Sequence, residues 1–175
     1  LSPDWFRLGA SSLLNDLLTA SKLDANALNL RPVRTSVAAL VQTAADNARA
    51  ARTGVDIQVG ELPQAEVMVD PSRFGQAIDN LVGNGLAHGA PPVTLNAVVN
   101  EGMAQIRVSD SGDGVDPAVL PRLFERFVTA DNVRGTGLGL FIVRELARAS
   151  GGDAYYEPST DERPAGTFVV TAPLA

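Results

Sequence analysis

Asp70-Pro71-Ser72-Arg73-Phe74-Gly75-Gln76-Ala77-Ile78-Asp79-Asn80-Leu81-Val82-Gly83-Asn84-Gly85-Leu86-Ala87-His88, followed by Gly89-Ala90-Pro91-Pro92, is the stretch that decides the fold. A carboxylate at the cap and proline at the first helical position open a helix. Phe74, Ile78, Leu81 and Val82 recur on one face of it, and the glycine–proline cluster ends it near His88. Two alternating runs follow, about 93–99 and 103–109, joined by a short turn at Asn100-Glu101-Gly102. A single helix therefore feeds a hairpin.

The same logic extends in both directions. Upstream, Val37, Leu40, Val41, Ala44, Ala45 and Ala48 keep helical spacing up to a stop at Gly54. Val55 to Val59 alternates as a strand, and Glu66 to Val69 is expected to be its partner. Downstream, residues 111–134 form an irregular stretch around one short helical turn. A helix is expected from Gly135 with Ile142, Val143, Leu146 and Ala147 inward, ended by Gly151-Gly152, and two strands close the chain near 153–157 and 166–172. Strands in adjacent pairs separated by single helices do not make the alternation of a parallel sheet. They predict an α+β, two-layer sandwich: a mixed, mostly antiparallel sheet with about three helices on one face.

At the other end, Leu13, Leu14, Leu17 and Leu18 form an apolar helical stripe that has to pack on something. It reads as the tail of a longer helix, and Asp24 to Pro32 as a linker. The first residue is Leu1 rather than Met, so the chain is expected to be a piece of a longer protein.

Composition narrows the classes. The 175 residues carry a formal charge of −6. Lys22 is the only lysine among 14 basic residues, and no basic cluster offers itself to a nucleic acid. The absence of cysteine removes disulfide frameworks, thiolate metal sites and thiol nucleophiles. No apolar run approaches the ~20 residues that span a bilayer.

Three short motifs carry chemistry. Asn80 and Asn84 lie four apart on one helical face, and a carboxamide oxygen is a hard, neutral ligand that suits Mg²⁺ completed by phosphate oxygens. Asp110, at a strand end, enters Ser111-Gly112-Asp113-Gly114. Its carboxylate can accept from an exocyclic amine such as that of adenine, and the glycines let backbone approach a flat base. Gly135-Thr136-Gly137-Leu138-Gly139-Leu140 sits where a loop becomes a helix, and free N–H groups with the helix dipole favour phosphate there. Each motif alone has an ordinary explanation: solvated asparagines, a glycine turn, a glycine-rich helix cap. Their order, with Leu123-Phe124-Glu125-Arg126-Phe127 between the last two, is the stronger signal.

The set resembles the catalytic ATP-binding domain of bacterial sensor histidine kinases, within the GHKL group and its Bergerat fold. Asn80 to Asn84 resembles the N box, and Asp110 to Gly114 and Gly135 to Leu140 the two glycine boxes. Leu123 to Phe127 resembles the F box, and Gly166-Thr167-Phe168 a final glycine–threonine box. The likeness covers about residue 35 to the end. It implies a catalytic ATP-binding domain over residues 32–175, and over residues 1–31 the end of a second dimerisation helix with its linker.

The resemblance further implies ATP and Mg²⁺ as cofactors, with Asn84 on the metal and Asn80 assisting it. Asp110 would take the adenine amine, and Gly112 and Gly114 would shape the base pocket. Gly135, Thr136, Gly137, Leu138, Gly139 and Thr167 would lie along the nucleotide. Val115 to Arg134 would be a lid that contributes Arg126 and Arg134 to phosphate, with Phe124 and Phe127 as anchors. The implied partners are a dimerisation and phosphoacceptor domain of the parent protein and the receiver domain of a response regulator. The parent would be a homodimer and this chain a monomer. The implied location is a cytoplasmic domain of a parent that is membrane-anchored or not.

Two departures stand out. Ala87 occupies a position where many relatives carry a cation, and the helix that bears the phosphoacceptor is absent. His88, the one histidine, reads as a helix-end residue rather than as the acceptor. Two other functions compete with kinase activity: an ATP-hydrolysing conformational switch, which Asn80 disfavours because an amide is no base, and a degenerate scaffold, which Ala87 keeps open.

Overall fold

The computed structural model describes the backbone of residues 4–128 and 137–175, and side chains from residue 13 onward within those ranges. In chain order the elements are α1 (Asp4–Asp24), β1 (Val33–Ser36), α2 (Val37–Ala51), β2 (Ile57–Val59), β3 (Glu66–Val69), α3 (Pro71–His88), β4 (Val93–Asn100) and β5 (Met103–Ser109). A single 3-10 turn (Leu120–Arg122) is followed by α4 (Gly139–Ala149), β6 (Ala154–Glu157) and β7 (Thr167–Pro173).

Local chemistry sets the helix ends. Asp70 caps α3 by accepting from Ser72 and Arg73, with Pro71 in the first turn. Ser36 caps α2 by accepting from Ala39 at 3.2 Å. α4 ends on a glycine pair: Gly152 N–H reaches the Ala147 carbonyl and Gly151 N–H that of Arg148, with Gly151 at φ +87°. Asn26, at φ +50°, closes α1 in the same way through Asn26 to Leu23 and Ala27 to Lys22.

Five strands form one sheet in the order β2-β4-β5-β7-β6, parallel between β2 and β4 and antiparallel elsewhere. Its inner face carries Ile57, Leu95, Ile106, Val108 and Val170. α2, α3 and α4 cover it with Val41, Phe74, Ile78, Leu81, Ile142 and Leu146, all buried in one core. Burying one such aliphatic or aromatic side chain contributes roughly 1.5–3 kcal/mol. The two-layer architecture expected above is therefore present, as is the mixed sheet.

One expected pairing is overturned. β3 does not pair with β2. It lies antiparallel to β1, with Val33 opposite Val69, a short strand directly after the linker that the sequence reading did not assign. β2 pairs in parallel with β4 instead, through Ile57 and Val93. Six residues containing Pro63 separate β2 from β3 and supply no tight turn to fold one onto the other.

α1 turns its polar side inward. Its leucine stripe is exposed, with Leu14 at 59% and Leu18 at 53%, whereas Asp16, Thr19 and Ala20 are buried. Thr19 Oγ1 accepts from Arg73 at 3.3 Å and from Gln76 at 2.9 Å, so the polar side of α1 rests on α3.

Candidate functional site

β5 ends at Ser109 and delivers Asp110 to the edge of the helical layer. One carboxylate oxygen, Oδ1, accepts from Gly112 N–H at 2.7 Å and from Ala90 N–H at 3.1 Å. A Cβ on Gly112 would stand 2.8 Å from that oxygen, and one on Gly89 would overlap the carboxyl group. Glycine at both positions is thus a condition for Asp110 to sit here. Two N–H donors hold one oxygen, and Oδ2 remains as an acceptor of fixed direction.

α3 contributes the two asparagines, both half-buried. Asn80 Nδ2 donates to the Gly139 carbonyl at 3.3 Å, tying the middle of α3 to the first residue of α4. On the adjacent position, Asp79 reaches solvent, yet burial beside α2 pushes its carboxyl up to about 6 against the opposing hydrogen bond from Asn47.

Leu138 is buried at 1% exposure, so anything it offers a ligand comes from its backbone. Gly137 has φ +70°, and its carbonyl accepts from Phe127 N–H at 2.7 Å. Thr167 is buried on β7, opposite Ser109 and Glu157, one residue from the strand end that carries Asp110. Gly114 has φ +83°. Arg134, Gly135 and Thr136 lie outside the described residues.

The F-box stretch divides. Phe124 packs against the core and meets Phe168 edge-on at 6.4 Å. Phe127 is 69% exposed, so the expectation that it anchors the lid by burial fails. With φ +60° and its N–H on Gly137, it is held by its backbone instead. Arg126 donates to both carboxylate oxygens of Asp24, one at 3.0 Å, and its guanidinium lies 4.3 Å from the Phe141 ring centroid. That pairing holds the Asp24 carboxyl below the usual range and raises Arg126. A groove of about 560 Å³ opens beside it, walled by Leu120, Phe124, Arg126, Phe141 and Arg144; Asp110, Asn80 and Asn84 take no part in its walls.

Two features escaped the sequence reading. The backbone of Ala90 is a partner of Asp110, and Tyr156 accepts from Val115 N–H at 3.1 Å. Neither has a motif. The only available hint was the glycine at 89, just before a proline pair.

Residues 69–175 match the family model described as histidine kinase-, DNA gyrase B-, and HSP90-like ATPase. The chain belongs to that family. It is 34% identical over 168 residues to the signal transduction histidine-protein kinase AfsQ2 of Streptomyces coelicolor, covering 94% of this chain and 30% of the relative. It is 36% identical over 175 residues to the sensor histidine kinase MtrB of Mycolicibacterium paratuberculosis, covering 93% and 30%. The chain thus spans 30% of the length of these two kinases.

Among solved structures, full-length ShkA in complex with AMPPNP superposes with a TM-score of 0.76 at 32% identity, over 94% of this chain and 35% of that one. The ATP-binding domain of PrrB from Mycobacterium tuberculosis superposes with a TM-score of 0.68 at 28% identity, over 82% and 98%. The ATPase fold of histidine kinases is therefore the fold of this chain. Among the described residues, no helix is long and apolar enough to cross a membrane.

Proposed function

We propose that this chain is the catalytic part of a sensor histidine kinase in two-component signalling. It binds Mg·ATP and presents the γ-phosphate to a histidine on a dimerisation domain, from which the phosphate passes to an aspartate of a response regulator. Residues 1–31 would then be the end of the second dimerisation helix and its linker, and residues 32–175 the catalytic domain. The observation that carries the reading is Asp110: a carboxylate with one oxygen held by two backbone donors and walled by glycine, leaving one acceptor for an exocyclic amine.

The roles follow from position. Asp110 reads the base, with Gly112 and Gly114 keeping the approach clear. Asn84, assisted by Asn80, supplies neutral oxygen. Among the described residues no cluster of three acidic, histidine or cysteine side chains could hold a metal. Asparagine alone is a poor magnesium site, so the donor set fits Mg²⁺ that arrives with its nucleotide and keeps phosphate oxygens. Bound there, Mg²⁺ would neutralise phosphate charge. The chain's own residues orient the triphosphate: Gly137 and Gly139 at the start of α4, and Arg126 and Arg134 from the lid, while Thr167, beside the strand end that carries Asp110, lies toward the base end of the nucleotide. Phosphoryl transfer asks mainly for such positioning. Asn80, a carboxamide whose Nδ2 donates to Gly139, is no base and cannot activate water, which favours transfer over hydrolysis.

The test is calorimetric titration with a non-hydrolysable ATP analogue, with and without Mg²⁺. We expect a dissociation constant of about 10–100 μM that depends on Mg²⁺ and is lost in Asp110→Ala. No binding at millimolar nucleotide would refute the reading.

A further inference from the structure

We infer that Tyr156 is a positioning residue for the base end of the nucleotide, an inference that rests on the function proposed above. Tyr156 lies on β6, one strand beyond β7, in no motif of its own but beside Gly166 and Phe168 of the glycine–threonine box. Its hydroxyl oxygen accepts from Val115 N–H at 3.1 Å. Val115 is where the Gly112-Asp113-Gly114 loop ends and the lid stretch begins.

That loop is therefore pinned twice. At its start Asp110 Oδ1 takes Gly112 N–H at 2.7 Å, and at its end Tyr156 takes Val115 N–H. Asp113 and Gly114, between the pins, are exposed.

The surroundings are shaped for this hydroxyl. A Cβ on Gly114 would come within 2.8 Å of it, and one on Gly166 would overlap it. Gly166, which the sequence assigned to a nucleotide box, thus has a second reason to be glycine: it admits a tyrosine.

The ring is held in turn. It lies 4.8 Å from Phe168, its cross-strand partner, tilted by 53°. Phe168 meets Phe124 of the F-box stretch at 6.4 Å. One line of rings therefore connects the hydroxyl to the anchor of the lid, and the end of the base loop is referenced to the same point. Val115 is half-buried. Without the hydroxyl its N–H loses its partner, which a loop avoids by moving.

The test compares the full 175-residue chain with Tyr156→Phe, which keeps the ring on Phe168 and removes only the oxygen. Two quantities are read: exchange of the Val115 amide by NMR, and the affinity ratio of ATP to inosine triphosphate, which lacks the exocyclic amine that Asp110 would read. We expect Val115 exchange to accelerate about tenfold, and the ATP preference to contract about fivefold, as the loss of one hydrogen bond's guidance implies. A purely structural role would lower both affinities equally and leave the ratio alone. That result overturns the inference, as does an unchanged amide or a variant that fails to fold. Failure of the unmodified chain to bind ATP would remove the nucleotide reading and this role together. Binding by the unmodified chain with an unchanged ratio in the variant would remove only the role of Tyr156.

Discussion

Phe127 and Gly137 face each other across a single backbone hydrogen bond of 2.7 Å, and both have left-handed backbone, φ +60° and +70°. The bond ties the end of the F-box stretch to a residue two positions before α4. A Cβ on Gly137 would stand 2.5 Å from Phe127 Cα, a backbone atom that cannot step aside. We expect Gly137→Ala to break this hydrogen bond. The left-handed backbone alone costs about 1–2 kcal/mol with a side chain present, which for a chain of this size lowers the melting temperature by roughly 2–8 °C. ATP affinity should fall about tenfold, a loss of about 1.4 kcal/mol. Thermal melting and calorimetry read the two effects, and an unchanged affinity would show that the Phe127–Gly137 contact has no part in nucleotide binding.

Arg126 is occupied. Its guanidinium is shared between Asp24 and the face of Phe141, while the proposed function asks it to reach phosphate. The pair is solvent-exposed and its grip is weak, so releasing it should strengthen Mg·ATP binding only modestly. We expect Asp24→Ala to tighten binding by about two- to threefold, and Asp24→Ala/Arg126→Ala to show no such gain. The comparison is a double-mutant cycle on nucleotide affinity. Equal affinities in all four proteins would take Arg126 out of the phosphate site.

Asp70 caps α3, the helix that carries both asparagines, and also receives Arg31 N–H at 3.0 Å. Burial pushes its carboxyl up, but the N–H groups of Arg31, Arg73 and Ser72 outweigh burial and hold it below its ordinary value of 3.8. A lowered folded pKa means that this stabilisation is complete above the unfolded value and is lost as pH falls through the folded one. Asp70→Ala should cost about 1 kcal/mol at pH 7, or roughly 2–4 °C in melting temperature. The gap between the two proteins should close as the pH falls below 3.8. A gap that persists at low pH would mean that the cap acts through packing rather than charge.

How much of this was legible in the sequence follows from what each signal encodes. α3 was readable end to end because Asp70-Pro71 and Gly89-Ala90-Pro91-Pro92 are local chemistry, and the β4–β5 hairpin because its turn is only the two residues Glu101-Gly102. The β2–β3 pairing was misread because short alternating strands announce an inner face but not a neighbour; Val67 and Val69 are buried whichever strand lies beside them. The leucine stripe of α1 was visible as a stripe. Its orientation was not, since Thr19 choosing Arg73 and Gln76 is a tertiary event. Asp110 was recognisable as a carboxylate between glycines, but its dependence on Ala90 joins residues twenty apart. Tyr156 was silent because in Ala-Tyr-Tyr-Glu either aromatic serves a strand equally well.

The way α1 is seated has a consequence for tempo. It packs beside α4 and is tied to α3 through one threonine hydroxyl shared by Arg73 and Gln76, with Asp24 held by Arg126 further along and Asp16 and the small Ala20 buried. These polar contacts are few, the Asp24–Arg126 pair is solvent-exposed, and no large side chain of the α1 stripe is locked into the seat. Such a joint is built for turnover rather than permanence. Thermal motion can open it without unfolding either side, and a bias of a few kcal/mol applied to the far end of the helix would be enough to change how long it stays shut.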